Sequence, residues 1–135
     1  MIYLFDTTSL SDWMHEHPVL ATRLAGLPST ETVIICPIVR GEIIFGLSRL
    51  PHGKRRQRLE ARAETAFGKF ACRPVPEGAG DVYAHMRFEQ ERKGLALGEN
   101  DLWIAATAKA LGAKLVSRDT DFGRIKNFPV EDWTK

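Results

Sequence analysis

The chain has 135 residues, of which 44% are hydrophobic and 27% charged, and its formal net charge is +2. These values are typical of one globular domain with its own core, and so mild a charge neither requires nor excludes a nucleic acid partner. No apolar run approaches the roughly 20 residues that span a bilayer, and the N-terminus has no features of a secretory leader. We therefore expect a cytoplasmic protein without a membrane partner. Cys36 and Cys72 lack metal-ligand spacing and are expected to be buried thiols within strands.

The first half of the chain begins with an apolar run at residues 2–5, which predicts a strand covered on both faces. The run ends at Asp6, and the polar residues that follow, Thr7, Thr8 and Ser9, can start a helix. Further along, the pattern predicts a helix from Pro18 to about Gly26, a strand over 32–36 and a helix over 38–50.

The second half opens with an amphipathic helix over 54–69. This helix begins with a basic cluster formed by Lys54, Arg55, Arg56 and Arg58. The strand predicted next, over 72–75, contains Pro74 and is therefore an edge strand. A helix over about 82–94 leads to another at 100–111, where Asn100 is expected to cap the free amides. The remaining predicted elements are a strand over 114–117, a helical turn over 123–126 and a short edge strand over 128–131.

Strands alternate with helices along the whole chain, which predicts one α/β domain with a mainly parallel sheet. Ligand sites in such sheets lie beyond the carboxyl ends of the strands. Asp6 and Asp119 both fall just past the carboxyl end of a predicted strand. We therefore expect these two acids to meet at one edge of the sheet.

Two further acids lie on predicted helices. Asp101 shares a face with Ala105 and Ala108, and Glu42 falls on the stripe of Ile38 and Phe45, so both carboxylates are expected among apolar side chains. Simpler interpretations remain: Asp101 can complement the helix dipole, Glu42 can lie on the surface, and the acids after strands can be caps. Asp121 is a fifth candidate, with a cap as its alternative.

Such a cluster of carboxylates needs compensation, because two of them about 4 Å apart repel by roughly 4 kcal/mol at an effective dielectric near 20. No lysine or histidine in these motifs is spaced to supply it. Oxygen ligands favour Mg²⁺ or Mn²⁺ over Zn²⁺. Carboxylates that gather such ions can activate water and stabilise the leaving oxygen of a phosphodiester.

The motifs resemble those of the PIN-domain ribonucleases, and most closely the VapC-type toxins of bacterial and archaeal toxin–antitoxin pairs. The resemblance covers essentially the whole chain in the family's order and spacing. The matching segments are Tyr3–Thr7, Val39–Ile43 with Gly46 and Leu47, Tyr83–Arg87, Asn100–Ala108 and Gly112–Phe122.

The resemblance implies that residues 1–135 form a single PIN-like α/β/α sandwich with a central sheet of four to five strands. It also implies an endoribonuclease that depends on Mg²⁺, with Mn²⁺ as a substitute. If the metal stabilises the leaving 3′ oxygen, the products should carry 5′-phosphate and 3′-hydroxyl ends. The family's acids correspond to Asp6, Glu42, Asp101 and Asp119, and Asp121 matches a less uniform position. Thr7, Thr8 and Ser117 are expected to hold these ligands or a bound water; Thr8 stands where the family often has Asn or Ser.

The family also implies a homodimer, and a higher assembly with a cognate antitoxin whose C-terminal segment blocks the site. Candidate contacts to RNA or antitoxin are basic residues near Glu42 or in the basic cluster. A solvated helix face is the alternative for the cluster. The candidates are Arg40, Arg49, Lys54, Arg55, Arg56 and Arg58.

Three other functions compete with this hypothesis. A phospho-accepting receiver domain should carry its acceptor Asp after the third strand, where this chain has Pro74-Val75-Pro76. A haloacid-dehalogenase-type phosphatase requires a second Asp two residues after Asp6, the position of Thr8. A catalytically silent PIN-like module that acts with its antitoxin in regulation is the main alternative, and the complete acidic set argues against it.

Overall fold

The computed structural model describes residues 1–95 and 97–135, and Ala96, in a predicted loop, lies outside them. Within these residues the chain forms a five-stranded sheet in the order β3-β2-β1-β4-β5, in which every pairing is parallel. The strands are β1 (Ile2–Phe5), β2 (Thr32–Ile35), β3 (Ala71–Cys72), β4 (Ala113–Val116) and β5 (Val130–Glu131).

Helices connect the strands, as parallel pairing requires. They are α1 (Thr7–Met14), α2 (Pro18–Ala25), α3 (Pro37–Ser48), α4 (Lys54–Lys69), α5 (Gly78–Arg92) and α6 (Glu99–Ala110), with a short 3₁₀ helix at Thr120–Arg124. Helices α1, α3 and α4 pack on one another, and α5 packs along α6. No helix among the described residues is both long and apolar enough to cross a membrane.

The central position of β1 follows from its composition, because a strand with neighbours on both sides and layers on both faces must be apolar throughout. Leu4 pairs with Ile34 of β2 and with Leu115 of β4, and all three side chains are buried. The two edge strands are only two residues long, which limits the unpaired backbone at the edges.

The helix that carries Asp101 is fixed on both sides. Its inner face is formed by small side chains that are fully buried, which permits close packing. On its outer face, the ring of Trp103 stacks on that of Tyr83 in α5, with centroids 3.9 Å apart and planes 5° from parallel. The hydroxyl of Tyr83 also donates to Glu99, the first residue of α6. The start of this helix is therefore anchored before any ligand binds.

The predicted architecture is confirmed, and several details differ. Helix α6 begins at Glu99 with Gly98 as its N-cap, so the expected capping role of Asn100 is wrong. The expectation that both thiols are buried is also wrong, because Cys36 is buried beyond the end of β2 but Cys72 is exposed. Strand β3 ends at Cys72: the amide of Arg73 still donates to Ile35 O at 2.8 Å, but Pro74 has no amide with which to continue the ladder.

Element boundaries also shift by a few residues. The predicted helix over 38–50 begins at Pro37, because a proline is favoured in the first turn, where its missing amide leaves no bond unmade. The helix predicted over 82–94 begins earlier, at Gly78, and the turn predicted over 123–126 is the 3₁₀ helix, which Asp119 caps from its N-terminal side.

Candidate active site

The site forms where β1 and β4, two neighbouring parallel strands, end at the same edge of the sheet. Phe5 and Val116 are the last residues of these strands and are register partners. Asp6 and Ser117 follow them, and the Asp6 backbone amide continues the pairing to Val116 O at 3.2 Å. The strand-end placement predicted for Asp6 is thus confirmed, and Asp119 lies two residues beyond Ser117.

Asp6 is buried and both of its carboxylate oxygens accept hydrogen bonds. Oδ1 accepts from the backbone amide of Ser9 at 2.8 Å, which makes Asp6 the N-cap of α1, and Oδ2 accepts from Ser117 Oγ at 2.6 Å. Burial raises the pKa of Asp6, and the bonds from Ser117 and Ser9 oppose that rise. The capping interpretation of Asp6 is therefore confirmed, and its role as a metal ligand stays a prediction.

Asp119 is tied to the same serine. Its backbone amide donates to Ser117 Oγ at 3.0 Å, and its Oδ1 accepts from the backbone amide of Asp121 at 2.9 Å. One hydroxyl thus links the two strand-end acids. Asp121 itself forms an ion pair with Arg124 at 3.4 Å.

Glu42 extends from α3 and is held by two neutral donors on other helices. Thr7 Oγ1, in the first turn of α1, donates to Glu42 Oε1, and Asn100 Nδ2, in the first turn of α6, donates to Glu42 Oε2 at 3.2 Å. Glu42 is half-buried, but the apolar stripe expected around it is partly exposed, since Phe45 is 63% accessible.

The pKa of Asp101 indicates that other acids lie close to it. Its pKa is raised from 3.8 to about 6, first by burial and then by the negative charges of Asp119, Glu42, Asp6 and Asp121. Acids after β1, on α3 and in the segment after β4 therefore lie within electrostatic range of Asp101. The structure thus places the predicted site residues around one crevice.

Four acids of the crevice have no ion-pair partner among the residues that the structure describes, although Arg49 lines the groove beside Glu42. Among the described residues, no Lys, Arg or His forms an ion pair with Asp6, Glu42, Asp101 or Asp119. A hard divalent cation fits this donor set, because it accepts carboxylate oxygens and offsets their mutual repulsion.

The acids are not arranged as a closed metal cage. In the described part of the chain, no three His, Cys, Asp or Glu side chains are grouped so as to hold one ion directly. Mg²⁺ does not require such a group, since it commonly keeps several waters and takes only one or two carboxylates. Direct ligation by all four acids stays a prediction.

The residues predicted to support the acids are found in part. Thr7 contacts Glu42 and Ser117 contacts Asp6, as expected. The residue that reaches Asp6 from α1 is Ser9, through its backbone amide, and its hydroxyl donates to Val116 O at 2.8 Å. Sequence reasoning missed this role of Ser9 and the contact of Asn100 with Glu42. The N-cap spacing from Asp6 to Ser9 was a usable signal for the former.

A groove of about 620 Å³ lies next to Glu42, lined by Thr7, Ile38, Phe45, Arg49 and Asn100 among others. Of the predicted contact residues, Arg49 and Arg55 line this groove and the cavity beside it. Arg40 instead lies over the ring of Phe67, with its guanidinium carbon 4.2 Å from the centroid.

The rest of the basic cluster lies at the start of α4. Lys54 is the first residue of that helix, and Arg58 lines a small cavity of about 220 Å³ beside Glu16. Arg56 donates to Leu50 O at 3.2 Å and pairs with Glu60 at 3.6 Å. Arg56 therefore contributes to the helix junction, and contact with RNA or antitoxin by any of these residues stays a prediction.

A parallel five-stranded α/β sandwich with paired strand-end acids, supplemented by acids from α3 and α6, is the architecture of a PIN-type nuclease. The PIN domain family model matches residues 3–127, and the chain belongs to this family.

Similar proteins agree with that placement. Ribonuclease VapC2 of Rickettsia felis is 31% identical over 137 residues, covering 100% of both chains. Toxin FitB of Neisseria gonorrhoeae is 31% identical over 122 residues, covering 87% of each. The crystal structure of VapBC2 from Rickettsia felis bound to a promoter DNA fragment superposes with a TM-score of 0.88 at 30% identity, covering 98% of this chain and 99% of that one.

Proposed function

We propose that this protein is a metal-dependent endoribonuclease that acts as the toxin of a toxin–antitoxin pair. The single observation that carries the proposal is the approach of Asp6, Glu42 and Asp119 to Asp101, whose pKa is raised by burial and by their charges, with no ion pair to any of these acids among the described residues. The names of the similar proteins, a ribonuclease and a toxin, support the same function.

The chain's own residues would prepare the site for a divalent cation. Ser117 orients Asp6 and fixes the backbone of Asp119, so the two strand-end acids keep a constant spacing. Glu42 extends from α3, and Asp101 lies in the anchored first turn of α6. Because these side chains are already ordered, little conformational entropy is lost when a cation or a phosphodiester binds.

We propose Mg²⁺ as the cofactor, with Mn²⁺ as a substitute, held by Asp6, Glu42, Asp101 and Asp119 with Asp121 in support. When bound, such an ion supplies an activated water and neutralises charge on the leaving oxygen of the phosphodiester. The carboxylates would orient that water on the side of the phosphorus opposite the 3′ oxygen. The products would then carry 5′-phosphate and 3′-hydroxyl ends.

The proposed partners are RNA as substrate, a cognate antitoxin and a second copy of the chain. A VapBC2 complex as a structural relative supports the antitoxin. The face of α3 beside the groove supports a protein partner, because Ile44 and Phe45 are 45% and 63% exposed there, next to Arg49. The cytoplasm, where messenger and transfer RNA are available, is the proposed location.

The test is cleavage of a mixed small-RNA pool by the purified full chain, freed of any co-purifying protein. Wild type and Asp6→Asn are compared with Mg²⁺, with Mn²⁺ and with EDTA. We expect cleavage by wild type only with metal, no cleavage by the variant, and 5′-phosphate ends. Equal cleavage by both proteins, or 2′,3′-cyclic phosphate ends, would contradict the proposal. No cleavage by wild type with either metal would favour the silent binding module.

A further inference from the structure

The position of Glu42 depends on residues that lie on two other helices. Glu42 is on α3, and its side chain reaches the crevice only where α1 and α6 begin. A glutamate has three rotatable bonds, so a free one would sample many positions at an entropic cost of up to about 2 kcal/mol when it is fixed. The two hydrogen bonds remove that freedom in advance.

The two donors divide the carboxylate between them. Thr7 Oγ1 donates to Glu42 Oε1, and Asn100 Nδ2 donates to Glu42 Oε2 at 3.2 Å. Thr7 comes directly after Asp6, and Asn100 directly before Asp101. Each donor is thus adjacent in sequence to another acid of the site, which couples the position of Glu42 to theirs.

The charge of the donor matters in this crevice. A Lys or Arg in place of Asn100 would pair with Glu42 and compete with a divalent cation for its oxygens. An Asp there would add another negative charge to a site where repulsion already raises the pKa of Asp101 to about 6. An amide donates a hydrogen bond and carries no charge, so it can orient Glu42 without either cost.

From these contacts we infer that Asn100 is a positioning residue of the site, which holds Glu42 in the orientation that a divalent cation requires. The inference rests on the proposed function and adds to it a residue outside the acidic set. A partner that orients a ligating carboxylate typically contributes 10–100-fold to metal affinity.

The contact itself is tested first, in the metal-free full chain, from the NMR resonance of the Asn100 side-chain amide. We expect Glu42→Gln to shift this resonance, because an amide bonded to a charged carboxylate loses that partner. Glu99→Gln is the matched control, since Glu99 lies in the same helical turn but contacts Tyr83 instead. An Asn100 resonance that responds to neither variant, or equally to both, would overturn the inference.

The consequence is tested with Asn100→Leu, which keeps a similar side-chain volume without the amide. We expect its dissociation constant for Mg²⁺, measured by calorimetry, to rise about 10- to 100-fold. Its metal-free melting temperature and its affinity for RNA in EDTA should stay those of wild type. Unchanged Mg²⁺ affinity, or a loss of RNA affinity in EDTA, would overturn the positioning role.

The two proposals fail in different ways. If wild type neither binds Mg²⁺ nor cleaves RNA, the proposed function fails whatever the variants do. If wild type binds and cleaves while Asn100→Leu matches it in both assays, only the role of Asn100 fails.

Discussion

Two acidic regions beside the sheet differ in how their charge is balanced. Glu131, at the end of β5, accepts from Trp133 Nε1 at 2.9 Å and pairs with Arg23 at 2.9 Å and Lys114 at 3.0 Å. Burial by itself would raise its pKa, but the bonds from Trp133 and Lys114 outweigh burial and leave that pKa below its ordinary value.

The crevice around Asp101 is the opposite case. Among the described residues, Asp6 and Glu42 accept hydrogen bonds from hydroxyl and amide groups and not from cations, and the pKa of Asp101 rises to about 6. Glu131 is thus balanced by cations of the chain itself, whereas the acids around Asp101 keep a mutual repulsion that an added cation would offset.

The largest effect is expected on RNA cleavage, which a substitution in the crevice should lower and a substitution at Glu131 should not. We expect Asp101→Asn to lower RNA cleavage by more than roughly a hundredfold, because a ligand costs more than the partners that orient it. Glu131→Gln should keep cleavage within about threefold of wild type, since Glu131 pairs within the chain and not with the crevice. Initial rates of cleavage with saturating Mg²⁺ measure both, and a comparable loss in the two variants would erase the distinction.

A smaller effect is expected from metal addition in the absence of RNA. Mg²⁺ at about 100 times its dissociation constant should stabilise wild type by roughly 2.7 kcal/mol, because it binds only the folded chain. Glu131→Gln should gain as much, and Asp101→Asn clearly less. Thermal unfolding with and without Mg²⁺ measures the gain. A gain in Asp101→Asn equal to that of wild type would place the cation elsewhere.

Without metal, the two substitutions should change stability in opposite directions. At pH 7.5 Asp101→Asn removes a repelled, half-buried charge and should stabilise the chain by about 1 kcal/mol, after allowance for solvent screening. Glu131→Gln removes the partner of two cations and should destabilise it by about 1 kcal/mol. Denaturant unfolding in EDTA tests this, and two changes of the same sign would contradict the contrast.

The smallest effect is the pH dependence of these differences. The folded pKa of Asp101 is raised, so its ionisation costs stability above about pH 6 and costs nothing below about pH 4. The advantage of Asp101→Asn should therefore disappear as pH falls from 7 to 4. The folded pKa of Glu131 is lowered, so its contribution persists until the pH falls below the ordinary range of a glutamate. Denaturant unfolding curves of both variants from pH 3.5 to 7.5 should show that, as pH falls, the Asp101→Asn advantage disappears before the stabilising contribution of Glu131 does.

The sequence by itself determined the α/β architecture and the edge of the sheet at which the two strand-end acids lie. The apolar runs at β1, β2 and β4 alternate with helical patterns, which is enough to predict parallel pairing and hence the edge where Asp6 and Asp119 meet. The sequence also indicates Glu42 on α3 and Asp101 on α6 as candidates, because burying an unpaired carboxylate on an apolar face costs free energy.

Only the tertiary structure decided which side chains contact which acid. Asn100 was predicted as a cap because first-turn propensity is local, but the approach of α3 gives its amide a carboxylate to bind. Likewise Ser9, and not Thr8, contacts Asp6. The first turn of α1 brings the backbone amide of Ser9, three residues after Asp6, within hydrogen-bond distance of Asp6 Oδ1. Contacts across 58 positions of sequence depend on how helices dock, and no local pattern encodes that docking.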